Sequence, residues 1–333
     1  MNHLIVFILI LTLSGCAMID PLLQARVERA VLEPPNGGRT MVDLDYYRFD
    51  RTLLDEAYTV SVGPPKATLA YWVTRPTEVR FQRLRKALPS GMTPCERASD
   101  KSRVAVLLHG WSRNSVRHGT DMRNVYAALL CRGYTILSPD LRGFGASTGD
   151  VASNGIYDKQ DVKQMMDDAQ RRGFGRGDYV LLGHSYGAAV AIQTAAHDPR
   201  VRGVVAMSAP RDVLSLGQPV RAIAREEQPV LYALFGSRLS DDIIGAAIAD
   251  AAKRHGLDPT QASAASAARN LRVPVLIAHG EKDAVVPFAH AEAIRAAAPA
   301  KATLWRSKTD DHWSYRDREV FLQALGQWLV NLR

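Results

Sequence analysis

The chain has 333 residues, 47% of them hydrophobic and 23% charged, enough apolar content to bury one large core. No internal repeat or low-complexity tract interrupts it, which excludes solenoid and disordered architectures. The net charge is +8, but arginines scattered along the chain supply much of it and no nucleic-acid-binding motif accompanies them.

The N-terminus reads as a targeting segment. Leu4 to Leu13 is apolar apart from Thr12, too short to span a bilayer, which needs roughly 20 residues, and of the length of a signal-peptide core. Leu13-Ser14-Gly15-Cys16 follows and resembles the lipobox of bacterial lipoproteins, in which the cysteine becomes the lipidated first residue of the mature protein. The departure is Met1-Asn2-His3, which lacks a Lys or Arg; the bland alternative is a buried helix with a chance cysteine. The resemblance implies removal of residues 1–15, lipidation of Cys16 and a cell-envelope location. Ala17 after the cysteine, rather than Asp, leans toward the periplasmic side of the outer membrane in a diderm bacterium. Cys95 and Cys131 then remain in an oxidising compartment, either joined as a disulfide or as two separate buried thiols.

Residues 16–50 read as a tether and irregular lead-in, broken at Pro34-Pro35-Asn36-Gly37-Gly38. Tyr58 to Val62 and Thr68 to Val73 flank Gly63-Pro64-Pro65 and predict an antiparallel hairpin at a sheet edge. A polar connection over 76–101 carries Arg80, Arg83, Arg85 and Lys86 between apolar residues, a solvated helix face or a basic face for anionic lipid. Beyond it, apolar strands at Arg103–Leu108, Tyr134–Leu137, Tyr179–Leu182, Val201–Met207, Val273–Ala278 and Ala302–Trp305 alternate with helices. Strands apolar on both faces predict an α/β fold: a mainly parallel twisted sheet covered by helices on both sides, here over residues 51–333. The interval 211–270 has helix signals and no strand, and reads as a helical cap inserted over the sheet's C-terminal edge.

Gly183-His184-Ser185-Tyr186-Gly187 matches G-x-S-x-G, and it joins a predicted strand to a predicted helix. That is the setting of a nucleophile elbow, a strained turn that exposes a serine hydroxyl. Serine needs a base to take its proton and a carboxylate to orient that base. Later in the chain, His279-Gly280-Glu281-Lys282-Asp283 and Asp310-Asp311-His312-Trp313 each follow a strand, offering Asp283 and His312 for these roles. Asp212, after the strand ending at Met207, is the alternative acid. An oxyanion hole needs two backbone N–H donors. The sequence offers Tyr186, next after the serine, and Trp111 in His109-Gly110-Trp111 after the first parallel strand. His109, His184 and His279 sit within motifs and read as structural hydrogen-bonders, and Asp140-Leu141-Arg142-Gly143-Phe144-Gly145-Ala146-Ser147 as a loop shaping the site. No His, Cys and Asp cluster has metal-ligand spacing, and no cofactor is implied.

These five motifs, in this order over roughly residues 100–333, resemble the α/β-hydrolases, close to the bacterial esterase, monoacylglycerol-lipase and serine-aminopeptidase-like group. The resemblance implies a Ser185-His312-Asp283 triad that cleaves a carboxylic ester through an acyl-enzyme. The substrate would be a small-molecule or lipid ester, with the membrane reached through Cys16. A peptidase or thioesterase of the same fold, a surface-acting lipase and a non-catalytic binding lipoprotein stay open.

Overall fold

The computed structural model describes residues 28, 31–33, 55–77, 103–111, 122–227, 239–298 and 302–332, with 229, 232, 233 and 236 between them. The signal segment, Cys16, Cys95 and the basic stretch from Arg80 to Lys86 lie outside the described residues.

The chain opens on the hairpin β1 (Glu56–Val62) and β2 (Ala67–Thr74). It continues through β3 (Val104–Leu108), α1 (Arg123–Cys131), β4 (Thr135–Pro139), α2 (Asp158–Arg171), β5 (Tyr179–His184), α3 (Tyr186–Ala195) and β6 (Val201–Met207). Helices α4 (Gly217–Glu227), α5 (Asp241–Arg254) and α6 (Ala264–Ala268) come before β7 (Val275–Gly280). Then come α7 (Ala289–Ala297), β8 (Ala302–Ser307) and α8 (Glu319–Val330).

The strands form one eight-stranded sheet in the order β1-β2-β4-β3-β5-β6-β7-β8. β1 and β2 are antiparallel, as is the join of β2 to β4; every pair from β4 to β8 is parallel. Alternate residues of a strand face opposite sides, and here both sides are covered. Val104, Val106 and Leu108 pack with α2 and α3, while Ala105 and Leu107 pack with α1 and α8. Each large aliphatic side chain buried this way contributes roughly 1.5–3 kcal/mol.

The chain leaves β3 for β4 on one side and reaches β5 on the other. Such a switch in winding opens a crevice at the C-terminal ends of the strands. Residues 109–111 and Ser185 emerge at its two lips.

Where it is described, the interval 211–270 carries α4, α5 and α6 and an isolated bridge between Asp212 and Ser263. Val213, Val220, Ile244, Ala247, Ile248 and Ala251 form a small separate core, which packs on Val151, Ile156 and Tyr157 in the loop after β4. Its last helix behaves differently: Ala264, Ala267 and Ala268 are buried in the main core beside α3 and α7. Val31 and Leu32, in the lead-in, are buried in the small separate core. Spaced apolar residues in a short segment ahead of a Pro-Pro-Asn-Gly-Gly break carry no periodic signal, so their docking is invisible in sequence.

Candidate active site

Ser185 sits in the turn between β5 and α3 with φ 53° and ψ −118°. A non-glycine residue held there stores roughly 1–3 kcal/mol of backbone strain. The flanking glycines make the turn sterically feasible. A Cβ on Gly187 would lie 2.2 Å from the Leu108 carbonyl oxygen, and one on Gly183 would lie 2.2 Å from that of Gly187. The Ser185 amide donates to the Met207 carbonyl at 2.8 Å, tying the elbow to β6.

Residues 109–111 run alongside this turn. A Cβ on Gly110 would lie 3.5 Å from the Ser185 Cβ. His109 is fully buried; its Nε2 accepts from the Leu141 amide at 2.9 Å, so Nδ1 carries the proton and donates to the Gly110 oxygen at 2.9 Å. Burial lowers its pKa, consistent with a neutral structural imidazole. The Trp111 ring meets Phe144 at 5.4 Å and Tyr186 at 5.7 Å, an aromatic wall beside the elbow. The Tyr186 amide belongs to the first turn of α3, whose N–H groups have no intrahelical acceptor.

Asp283 and His312 come from loops after β7 and β8. The Lys282 amide donates to the Asp310 carbonyl at 3.1 Å, stitching the loops together. Gly280 permits this approach, since a Cβ there would lie 2.3 Å from the same Asp310 oxygen. His312 Nδ1 donates to Asp283 Oδ2 at 2.6 Å, with both residues buried. The other carboxylate oxygen accepts from the amides of Val285 at 2.9 Å and Val286 at 2.7 Å. His279 adds its Nε2 at 3.1 Å from Asp283 Oδ2, shared with the Val286 carbonyl at 2.7 Å. Burial works against the Asp283 carboxylate, but the hydrogen bonds from His279 and His312 overcome it and hold the group well below the usual carboxylate range.

His312 is joined to the elbow through His184, the residue before Ser185. His184 Nε2 donates to the His312 carbonyl at 2.9 Å, and the two rings lie 4.7 Å apart. The alternative acid, Asp212, instead accepts from the amide and hydroxyl of Ser215 at 2.8 and 2.7 Å. Asp310 and Asp311 serve their own loop, Asp310 through Ser307, Ser314 and Arg318, and Asp311 through the amides of Trp313 and Ser314.

Several site-supporting residues escape a sequence reading. Asp158 and Asp161 stand in the first turn of α2, where acids complement the helix dipole, yet both are buried. Asp158 accepts from the Tyr186 hydroxyl at 3.0 Å and the Gly155 amide at 3.0 Å. Asp161 forms a bidentate pair with Arg142 at 2.7 Å, which pins the loop that begins at Asp140. The signal was their spacing of three, which puts both on the face that also carries Val162 and Met165. Among the described residues, no group of three or more His, Cys, Asp and Glu could hold a metal ion. Cys131, at the end of α1, is disulfide-bonded.

The sequence matches the profile of the Alpha/beta hydrolase family over residues 105–324, well over half of the chain. The chain belongs to that family. This alpha/beta hydrolase is 30% identical over 195 residues to the lysophosphatidylserine lipase ABHD12 of Xenopus tropicalis, covering 56% of this chain and 44% of that protein. The protein of the same name from Macaca fascicularis is 29% identical over 195 residues, covering 56% of this chain and 42% of its own length. The match therefore spans less than half the length of these relatives. Among solved structures, the esterase Pf2001 of Pyrococcus furiosus superposes with a TM-score of 0.60 at 18% identity, over 91% of this chain and 97% of that one. A thermophilic esterase from Thermogutta terrifontis gives 0.52 at 20% identity, over 83% and 99%. At these identities the likeness is one of fold.

Proposed function

We propose that the chain is a serine hydrolase of carboxylic esters, with Ser185 as nucleophile, His312 as base and Asp283 as the acid that orients it. The observation that carries the reading is the buried 2.6 Å Asp283–His312 hydrogen bond, clasped by His184 to a serine at positive φ. With Nδ1 donating to Asp283, the neutral His312 has its lone pair on Nε2, the tautomer a general base requires. Nε2 takes the Ser185 hydroxyl proton as Oγ attacks the ester carbonyl carbon. The charge developing on the carbonyl oxygen is met by the amides of Trp111 and Tyr186. His312 then passes its proton to the departing alkoxide, leaving an acyl-serine. A water deprotonated by His312 hydrolyses that ester and regenerates Ser185.

The relatives named as lysophosphatidylserine lipases favour a single-chain lipid ester as substrate. A lipid anchor at Cys16, in the cell envelope, would keep the enzyme beside such molecules. Pairing of Cys95 with Cys131 completes the reading, since Cys131 is disulfide-bonded.

The test is hydrolysis of p-nitrophenyl esters and of lysophosphatidylserine, together with fluorophosphonate labelling, by the wild type and Ser185→Ala. Turnover and labelling present in the wild type and lost in the variant support the assignment. Labelling without turnover of either ester shifts the substrate to a peptide or thioester. Absence of both in the wild type overturns the hydrolase reading in favour of a binding protein.

A further inference from the structure

Glu28 and residues 31–33 are joined both to the helices of 211–270 and to the proposed oxyanion hole. The Leu32 amide donates to the Glu28 carbonyl at 2.7 Å, closing a helical turn. The Glu28 carboxylate accepts from Arg254 at 2.8 Å and pairs with His255, both at the C-terminal end of α5. Val31 and Leu32 are only 3% and 2% exposed within the cap core. Two further bonds leave the cap. The Ala152 amide donates to the Leu32 carbonyl at 2.8 Å, and Asn154 Nδ2 donates to the Val31 carbonyl at 3.0 Å.

Asn154 connects this segment to the elbow. Its φ is 52°, a conformation that asparagine tolerates better than most residues. Its amide donates to the Tyr186 hydroxyl at 3.1 Å, and its carbonyl accepts from Gln193 Nε2 at 3.0 Å. Tyr186 and Gln193 both lie on α3, and Tyr186 contributes one of the two proposed oxyanion donors. The fully buried Asp158 accepts from the same tyrosine hydroxyl. A hydrogen-bonded path thus runs from Val31 through Asn154 to the residue following the nucleophile.

We propose that Glu28 and residues 31–33 form a strap that fixes the helices of 211–270 and, through Asn154, positions Tyr186 for the oxyanion. Asn154 is a positioning residue: it acts by holding the start of α3. The proposal rests on the hydrolase reading above. Its physical basis is that oxyanion donors act only when held at the right place before the reaction, so a small displacement costs rate rather than substrate binding.

The test compares the protein starting at residue 24, the protein starting at residue 34, and Asn154→Gly in the full chain. Glycine retains the positive φ and the backbone amide while removing the bond to Val31. The expected result is unchanged kinetics for the start at 24. A fall of about tenfold in kcat with KM within twofold is expected for Asn154→Gly, and a larger fall for the start at 34. Hydrogen exchange gives a readout independent of activity: amides of residues 151–158 should exchange faster in both altered proteins. Unchanged kcat and unchanged exchange in Asn154→Gly overturn the proposal even if the start at 34 fails to fold. If the wild type neither labels at Ser185 nor turns over ester, the hydrolase reading fails. Exchange at 151–158 then still tests the strap, and no difference between the starts at 24 and 34 removes it.

Discussion

The imidazole of His184 donates its Nε2 proton to the main-chain oxygen of His312 at 2.9 Å, so the residue before the proposed nucleophile holds the residue proposed as its base. Ser208 Oγ lies 3.4 Å from the same oxygen and 3.0 Å from the Tyr315 hydroxyl. Replacing His184 by Phe keeps a ring in place and removes the donor. We expect kcat to fall by about 10 to 100-fold with the fold intact, because one orienting bond of a general base is lost. Steady-state ester kinetics alongside a melting curve check this; an unchanged kcat would show that the clasp is only structural.

Asp283→Asn should be far more damaging. The amide can present NH₂ to His312 and favour the wrong tautomer, which costs about 10⁴-fold in kcat. The variant should still label slowly with a fluorophosphonate, and its melting temperature should fall, because the amides of Val285 and Val286 lose a charged acceptor. Kinetics close to wild type would return the acid role to Asp212.

Gly187→Ala tests the elbow by packing alone. The added methyl would stand 2.2 Å from the Leu108 oxygen and 2.5 Å from the His109 oxygen, both backbone atoms that cannot step aside cheaply. A destabilisation of about 3 kcal/mol or more is expected. Urea unfolding of whatever protein remains soluble measures it, and a loss below about 1 kcal/mol would mean that the turn relaxes easily.

Acid should weaken the fold in two stages. His290 is buried and accepts from the Arg211 amide through Nδ1 at 3.0 Å. Burial first, then the nearby Arg211 charge, lower its pKa from 6.5 to about 4. A depressed histidine binds its proton less readily when folded, so its contribution is complete above about pH 6.5 and is lost as pH falls toward 4. The loss reaches about 3 kcal/mol. Asp283 is depressed below the carboxylate range, so its contribution holds above its unfolded pKa of about 3.8 and disappears only as pH falls further. Urea midpoints between pH 7 and pH 4 should fall in the wild type and change much less in His290→Gln. Parallel curves would remove His290 as the cause.

The strands, the elbow and the Asp283 and His312 loops were legible because each carries a local signature: an apolar run, a turn glycine, a polar residue after a strand. The antiparallel hairpin was legible for the same reason. What escaped was polar and distant in sequence. Asn154 bonds to Val31, 123 positions away, and Arg142 finds Asp161 inside the protein rather than in solvent. Long-range polar pairing leaves no periodicity, and a buried Asp in the first turn of a helix looks like an exposed one. The interval 211–270 showed a related ambiguity: its alanine-rich helices look alike, yet Ala264, Ala267 and Ala268 pack in the main core while Ala247 and Ala251 pack in the smaller one.

Under the proposals made above, the strap would also set an orientation. Eleven residues separate Cys16 from Glu28, a reach of roughly 40 Å at full extension. Under the lipid attachment proposed at Cys16, inserting about 20 Gly and Ser residues after position 18 would lengthen that reach and loosen the tether. Turnover of vesicle-borne lysolipid should drop while turnover of a soluble ester stays constant; equal turnover of both would separate anchoring from catalysis. The tether would join the body at the cap, not at the back of the sheet. The protein would then be moored by its mouth, meeting its substrates where they leave the bilayer.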